Sequence, residues 1–202
     1  RGILLANTPD APTTAVAEIT LGLILTVLRQ ISLMSSNLKQ GDWNKVFGTL
    51  LTGKTVGLIG YGRIGQTLAK LLQPFNVKIL VYDPYFTPDN ATKMKIEFVE
   101  LQNLLENSDI ISAHSGSNDP IITEKNANYI KPGAFFFNTS RAHIMDENIL
   151  YEKLKNGDLS GAGIDVFSKE PYSGPLRNCK NAVLTPHIGS YAKESRIEQE
   201  TQ

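Results

Sequence analysis

Short apolar runs alternate with amphipathic stretches along most of the chain. Runs rich in β-branched and aromatic residues predict strands at residues 55–59, 77–82, 109–113, 134–138, 161–166 and 182–184. Apolar residues at helical spacing predict helices at residues 64–72, 98–106 and 147–156, the last with Asp146 as N-cap and Gly157 as its stop. Strands and helices in alternation favour parallel pairing through right-handed crossovers. The pattern therefore predicts an α/β fold built on a doubly wound parallel sheet.

The most membrane-like stretch, residues 19–28, predicts a buried helix. It has about half of the roughly 20 residues that a membrane-spanning helix needs, and Glu18 and Arg29 bound it closely. Its apolar residues cover more than one face, so we expect it to pack on the sheet and also against a second subunit or domain. A core helix with no interface role is the alternative.

Composition narrows the class of protein. The chain has 202 residues, 41% hydrophobic and 20% charged, which fits one domain or one domain with an appendage. Lys and Arg together number 20, as do Asp and Glu, so neither nucleic acid nor an anionic membrane is an expected partner. Neither paired thiols nor a signal peptide points to an oxidising compartment, so a cytoplasmic location is expected. No His, Cys or acidic residues cluster at metal-ligand spacing, so no metal is expected.

A glycine-rich segment, GYGRIG at residues 60–65, directly follows the first predicted strand and opens the next helix. Gly60 allows a tight turn, Gly62 lets the backbone approach a pyrophosphate, and Gly65 permits close packing of the helix on the strand. The helix N-terminus then offers unpaired N–H groups and a partial positive charge to the phosphates. This context predicts a dinucleotide site in a Rossmann-like domain.

The residue at the end of the second predicted strand indicates which dinucleotide binds. Asp83 follows the glycines by about 20 residues, where a carboxylate accepts both ribose hydroxyls of the adenosine and repels a 2′-phosphate. The residues on either side of it are Tyr82 and Pro84, so no neighbouring arginine is present to bind a 2′-phosphate. NAD is therefore expected in preference to NADP. The alternative is a glycine-rich turn that binds nothing, with Asp83 in a plain turn.

Three later strand ends carry unusual polar residues, in segments 138–141, 165–171 and 185–189. Because the carboxyl ends of parallel strands share one edge of the sheet, these segments are expected to converge on one crevice. Arg141 could clamp a substrate carboxylate and polarise the neighbouring carbonyl. His187 could exchange the proton on the hydroxyl oxygen. Glu170 could fix the histidine tautomer and favour the imidazolium. A structural histidine and an ordinary loop acid are the alternatives.

A series of ordered motifs runs through nearly the whole chain: NTP at 7–9, AVAE at 15–18, LGLIL at 21–25, GKTVG at 53–57, the glycine loop, DVF at 165–167 and TPHIG at 185–189. Together they resemble the D-isomer-specific 2-hydroxyacid dehydrogenases, a family that includes phosphoglycerate, D-lactate, formate and glyoxylate/hydroxypyruvate enzymes. The resemblance implies hydride transfer between NAD and a small D-2-hydroxy acid or its 2-keto partner, possible substrates including one like 3-phosphoglycerate. It also implies a homodimer formed through the cofactor domain, with the long helix after NTP in the contact.

The resemblance assigns roles to individual residues. The catalytic set is Arg141, Glu170 and His187. The implied cofactor contacts are Gly60, Gly62, Arg63, Ile64 and Gly65 around the pyrophosphate, Asp83 on the ribose, Thr139 and Ser140 beside the nicotinamide ribose, and Asp165 on the carboxamide, with Arg141, His187 and Gly189 in the same set.

The whole chain, residues 1–202, is expected to be the NAD-binding domain. Residues 1–7 resemble a strand already under way, and residues 194–202 resemble a helix without an end. Residues 1–10 and 190–202 are therefore expected to be remnants of connections to a substrate domain that is largely absent from this chain. Two alternatives stay open. One is a non-catalytic NAD-binding dimerising module like the corepressors of the same fold, and the other is a chain unable to turn over alone.

The chain departs from the family pattern at two places. The usual His-x-Pro-x-Thr is replaced by HSGSN at residues 114–118, so the loop is expected to differ in shape. Ala142 and His143 occupy two positions that are usually glycine, and their β-carbons limit positive φ. His143 could narrow the crevice or touch the substrate. His114 and His143 are nevertheless interpreted first as structural or merely near the site, and Cys179 as a residue without chemistry.

Overall fold

The structure, a computed structural model, describes residues 2, 8, 10–86 and 96–201. One sheet organises the fold. Its strands are β1 (Thr55–Ile59), β2 (Lys78–Tyr82), β3 (Ile96–Phe98), β4 (Ile110–Ala113), β5 (Ala134–Asn138), β6 (Leu159–Ile164) and β7 (Ala182–Leu184). Their order is β3-β2-β1-β4-β5-β6-β7, and all neighbours are parallel. The predicted α/β fold with a doubly wound parallel sheet is confirmed.

Helices cover both faces of the sheet. They are α1 (Thr13–Leu28), α2 (Ile31–Lys39), α3 (Arg63–Leu72), α4 (Leu101–Asn107), α5 (Glu147–Asn156) and α6 (Lys193–Thr201). One apolar core lies between the sheet and α1 with α3, and the other lies between the sheet and α4 with α5. Because side chains alternate across a strand, successive residues of a strand pack into opposite cores. In β5, Phe136 lies in one core and Phe137 in the other.

Most predicted elements lie where the sequence pattern put them. The strands at 55–59, 134–138 and 182–184 and the helix at 147–156 match residue for residue. Asp146 caps that helix by accepting a hydrogen bond from the backbone N–H of Asn148 at 2.7 Å, and Gly157 ends it with a positive φ of 82°. The expected strand at residues 1–7 lies outside the described residues, apart from residue 2.

Two predicted boundaries are wrong. Residues 98–106 do not form one helix, because Phe98 ends the edge strand β3 and the helix begins at Leu101. Ile96 and Phe98 are the strand-forming types, and β2 supplies the hydrogen-bonding partner that favours extended backbone. The strand expected at 161–166 begins instead at Leu159, where β6 pairs with β5. The strand β3 lies at the edge of the sheet and is short, so it has too few residues for its periodicity to be distinctive.

The apolar stretch at residues 19–28 is buried as predicted, within the longer helix α1. Leu23, Ile24, Val27 and Leu28 are almost fully enclosed, and the helix packs on α3 and on β5, β6 and β7. Among the described residues no single helix is long and apolar enough to cross a membrane. Helices α1 and α2 meet these criteria of length and composition only when they are taken together, across a 63° bend.

The order of the strands reverses between β1 and β4, which lie side by side at the centre of the sheet. Loops that leave the carboxyl ends of such strands diverge to opposite faces and open a crevice. The glycine loop leaves β1 there, and the loop that begins at His114 leaves β4. The fold therefore places the ligand crevice at the predicted edge of the sheet.

Candidate active site

The glycine loop is shaped by backbone contacts that exclude a side chain at two of its three glycines. Gly60 has a φ of 97°, and a Cβ built on it would lie 2.8 Å from the backbone of His114. A Cβ on Gly65 would lie 2.5 Å from the carbonyl oxygen of Gly60. A Cβ on Gly62 would meet nothing within 4 Å. Gly60 and Gly65 are thus required by the fold, whereas Gly62 borders open space.

The open space beside Gly62 is a cleft of about 530 Å³. Its lining includes Gly60, Gly62, Asp83 and the loop from His114 to Asp119. Helix α3 begins directly after Gly62, and within the described part of the chain no side chain caps it. The N–H groups of its first turn, at Arg63 and Ile64, are therefore available to an anion.

Asp83 fixes the shape of this cleft. One carboxylate oxygen accepts a hydrogen bond from the backbone N–H of Tyr61 at 2.7 Å, and the other accepts from that of Tyr85 at 2.9 Å. The ring of Tyr61 is buried and packs edge-on against Phe86 and Phe98. This packing anchors the glycine loop. Each oxygen of Asp83 keeps a further lone pair for a ribose hydroxyl.

The side chain of Arg63 lies beside the cleft in an ion pair. Its Nε is 2.9 Å from a carboxylate oxygen of Asp10, and both side chains are largely exposed. Exposed pairs of this kind contribute about 0–1 kcal/mol. The pair is therefore weak enough for a dinucleotide phosphate to replace it, and the predicted role of Arg63 stays a prediction.

Asn138, which belongs to the polar segment 138–141 but received no role from the sequence, shapes the loop after β5. Its carbonyl oxygen accepts hydrogen bonds from the backbone N–H and the hydroxyl of Ser140, both at 3.0 Å. Its amide donates to the carbonyl oxygen of Arg141 at 2.8 Å. Asn138 is buried, and an asparagine at the end of the apolar strand AFFFN is the signal that could have identified it.

The side chain of Thr139 bonds to helix α1. Its hydroxyl donates to the hydroxyl of Thr20 in α1 at 2.8 Å, because the hydroxyl of Thr20 itself donates to the carbonyl oxygen of Val16. Both threonines are buried. The side chain of Thr139 therefore joins the strand end to α1, and its predicted contact with the nicotinamide ribose stays a prediction.

Asp165 holds the segment that carries the predicted catalytic histidine. Its carboxylate is 1% exposed and accepts hydrogen bonds from the hydroxyl of Thr185 at 2.6 Å and from the backbone N–H groups of Ile188 at 2.9 Å and Gly189 at 2.8 Å. A Cβ on Gly189 would lie 3.1 Å from that carboxylate. These bonds fold residues 185–189 around Asp165, and its predicted contact with the carboxamide stays a prediction.

His187 lies at the tip of this segment with a φ of 53°, a conformation that residues other than glycine adopt rarely and mostly where surrounding structure enforces it. Its Nδ1 lies 3.1 and 3.0 Å from the two carboxylate oxygens of Glu170. The hydrogen bond from His187, assisted by one from the backbone N–H of Phe167, holds the pKa of Glu170 below its ordinary value. The carboxylate therefore fixes the proton on Nδ1 and leaves Nε2 as the reactive nitrogen.

Arg141, Glu170 and His187 line one cavity of about 780 Å³, together with Ser140 and His143. The guanidinium of Arg141 donates one hydrogen bond to the carbonyl oxygen of Ser140 at 2.9 Å. Among the described residues no other group bonds this guanidinium, so four of its five N–H donors are left for a ligand. The structure thus brings together the three residues that the sequence predicted to be catalytic. Within the described residues no group of three or more His, Cys, Asp or Glu side chains is arranged to hold a metal.

The remaining histidines differ in environment. His114 is buried, its Nε2 is 2.8 Å from the hydroxyl of Ser112, and burial lowers its pKa to about 4, so it is neutral. His143 is exposed in a short helical turn, and neither it nor Ala142 has a positive φ. The side chains at these two usual glycine positions therefore cause no backbone strain.

The chain matches the family model described as "D-isomer specific 2-hydroxyacid dehydrogenase, NAD binding domain" over residues 21–189. A glyoxylate reductase from Thermococcus litoralis is 40% identical, covering 97% of this chain and 63% of that protein. A hydroxypyruvate reductase from Thermotoga maritima is also 40% identical, covering 97% of this chain and 66% of that protein. The chain therefore spans just under two thirds of the length of these relatives.

The fold is similarly close to a solved structure. A glyoxylate reductase from Paecilomyes thermophila superposes with a TM-score of 0.92 at 31% identity, covering 99% of this chain and 62% of that one. The similarity extends across the glycine loop and all three strand ends that carry the predicted catalytic residues, because nearly the whole chain is covered.

Proposed function

Because the chain belongs to the D-isomer specific 2-hydroxyacid dehydrogenase family, we propose that it supplies the NAD site and the catalytic residues of an oxidoreductase acting on a small D-2-hydroxy acid or its 2-keto partner. The observation that carries the proposal is the cavity lined by Arg141, Glu170 and His187, at the same edge of the sheet as the glycine-loop cleft. A cation, a proton donor and a dinucleotide groove at one edge suit this reaction class.

The residues of the cleft fit a dinucleotide. Open space at Gly62 leaves room for a pyrophosphate, and the uncapped first turn of α3 offers it N–H donors. Asp83 at the far side offers a carboxylate to the adenosine ribose. When bound, NADH supplies the hydride for C2 of the keto acid. We assign NAD rather than NADP because the carboxylate of Asp83 would repel a 2′-phosphate.

The side chains of the chain then hold the substrate and move its proton. Arg141 binds the substrate carboxylate through paired N–H donors and orients the keto group. Nε2 of His187 donates a proton to the keto oxygen as the C=O double bond becomes a C–O single bond, and it takes that proton back in the oxidative direction. Glu170 keeps the ring in place and compensates its positive charge.

Two measurements on the native full-length protein test the proposal. Fluorescence titration with NADH and NADPH is expected to show tighter binding of NADH. A panel of 2-keto acids assayed with NADH is expected to include at least one substrate, with the D-isomer of the hydroxy acid as product. Failure to bind either dinucleotide would contradict the cofactor assignment. Binding with no turnover across the panel would favour a non-catalytic NAD-binding module instead.

We further propose that the chain forms a homodimer through its cofactor domain. Helix α2 has no buried residue, and its side chains Ile31 and Leu38 are more than half exposed. The following segment exposes Trp43 by 76% and Phe47 completely. Several large apolar side chains exposed within one segment, residues 31–47, support the assignment of an interaction surface there.

The mass in solution tests the dimer. Sedimentation is expected to give twice the mass of one chain, and Phe47→Asp is expected to shift the equilibrium to the monomer. Asn44→Asp, which adds the same charge to the same segment without removing apolar surface, is the control. A monomer at all concentrations would contradict the assignment.

A further inference from the structure

One hydrogen bond joins the cavity that contains the catalytic residues to the wall of the glycine-loop cleft. Nε2 of His143, which lines that cavity, lies 2.6 Å from the backbone carbonyl oxygen of Ser117, which lines the cleft. Because a carbonyl oxygen can only accept a hydrogen bond, Nε2 carries the proton and donates it. The bond therefore ties the loop after β4, residues 114–119, to the turn after β5.

The loop after β4 is anchored at both of its ends. At its start the backbone N–H of His114 donates to the last residue of β1 at 2.7 Å, and just after its end that of Ile122 donates to the carbonyl oxygen of Ile144 at 2.8 Å. Between these anchors, among the described residues, the bond from His143 is the only hydrogen bond that joins residues 115–120 to another part of the protein.

The sequence of the loop does little to restrict its backbone. Gly116 stands between two serines, and a Cβ built on it would meet nothing within 4 Å. The backbone N–H of Ser117 donates to the hydroxyl of Ser115 at 3.1 Å, and the hydroxyl of Ser117 accepts from the N–H of Asp119 at 3.0 Å. These bonds shape the loop locally but do not fix it relative to the opposite wall of the cleft. The bond from His143 does.

We propose that His143 is a positioning residue for the dinucleotide, because it holds the carbonyl group of Ser117 and so fixes the loop after β4 at the wall of the cleft before the dinucleotide binds. The inference rests on the proposed function, since it takes this cleft as the dinucleotide site. A loop that is already ordered loses less conformational entropy when a ligand binds, so a preorganised cleft binds more tightly. His143 acts through Ser117 and does not itself touch the dinucleotide.

Two amide side chains at position 143 test this role in the native full-length protein. The terminal N–H group of His143→Gln lies about as far from the backbone as Nε2 and is expected to reach Ser117, so NADH affinity should stay within about twofold of the wild type. The amide of His143→Asn is one methylene shorter, so the bond is lost. The dissociation constant for NADH, measured by fluorescence titration, should then rise about three- to tenfold.

Hydrogen exchange measures directly whether the loop is held in the absence of a ligand. In His143→Asn the amides of Ser117 and Asp119 are expected to exchange about three- to tenfold faster than in the wild type. Saturating NADH should bring their exchange back to the wild-type rate, because the bound dinucleotide then orders the loop. His143→Gln should exchange like the wild type with and without NADH.

The outcomes separate this inference from the proposed function. Unchanged NADH affinity in His143→Asn would overturn the inference and leave the proposed function intact. Equal losses of affinity in His143→Asn and His143→Gln would also overturn it, because the ring would then act on the ligand directly and not through Ser117. A wild type that binds neither dinucleotide would overturn both. Circular dichroism checks that each variant is folded.

Discussion

Both carboxylate oxygens of Glu170 lie within hydrogen-bonding distance of Nδ1 of His187, at 3.1 and 3.0 Å. The imidazole ring is 54% exposed, and among the described residues no protein group bonds its Nε2. A ring held on one side and free on the other is suited to exchanging a proton with a ligand. The orientation of the ring therefore depends on a residue 17 positions earlier in the chain.

Removing the charge of Glu170 tests this dependence. Glu170→Gln is expected to lower kcat for 2-keto acid reduction by roughly 10²-fold, because the protonated ring loses its compensating charge. NADH affinity, measured by fluorescence titration, is expected to change less than about threefold. The control is Glu147→Gln, since Glu147 bonds the backbone of the neighbouring Ser168 and does not touch His187. Equal losses in the two variants would contradict the assignment.

The lowered pKa of Glu170 predicts how the pair responds to pH. Because the hydrogen bond from His187 depresses this pKa, the pair stabilises the fold above the ordinary glutamate value of 4.5 and ceases to do so as the pH falls through the lowered value. The difference in unfolding free energy between wild type and Glu170→Gln should be fully present just above the ordinary value and shrink below it. Urea unfolding across pH measures it, and a difference that grows on acidification would be inconsistent with the shift.

The glycine loop predicts opposite effects of one substitution at two positions. Gly62→Ala should leave the thermal midpoint unchanged, since its Cβ meets nothing within 4 Å, but should weaken NADH binding by about tenfold or more by blocking the pyrophosphate. Gly65→Ala should lower both the thermal midpoint and the affinity for NADH, because its Cβ would lie 2.5 Å from the carbonyl oxygen of Gly60. Calorimetry and fluorescence titration separate the two. Normal NADH affinity in Gly62→Ala would place the pyrophosphate elsewhere.

Asp83 is expected to set the preference between the dinucleotides. Asp83→Ala should raise the dissociation constant for NADH by about tenfold or more, because charge-assisted hydrogen bonds to the ribose contribute about 1.5–3 kcal/mol. The affinity for NADPH should fall less, or rise. Asp119→Ala removes another carboxylate from the lining of the same cleft and should leave the preference unchanged. An unaltered preference in Asp83→Ala would exclude the assigned ribose contact.

Asp165 should matter for stability as well as activity. Asp165→Asn replaces one acceptor oxygen by a donor in a site where three donors converge, so at least one backbone N–H loses its partner. The expected cost is about 1–3 kcal/mol in unfolding free energy, measured with urea. Thr185→Val removes a single donor and should cost less. Wild-type stability in Asp165→Asn would show that the segment 185–189 is held by other contacts.

Local pattern accounted for much of the fold. Five of the seven strands were placed to within one residue, because apolar runs flanked by turn residues need only short-range information. The strand β3 was not predicted, and the bounds of β6 were misplaced by two residues. Whether Ile96 and Phe98 extend a helix or form an edge strand depends on the partner strand β2, which no local window contains.

The sequence by itself determined the chemical groups of this protein: the glycines of the dinucleotide loop, Arg141, Glu170 and His187, each fixed by residue type and by its position after a strand. The tertiary structure alone decided which groups touch. Thr139 bonds Thr20 across 119 residues, and His143 bonds Ser117 across 26. Such pairs arise because the order of strands in the sheet, and not their order in the chain, sets the distance between loops.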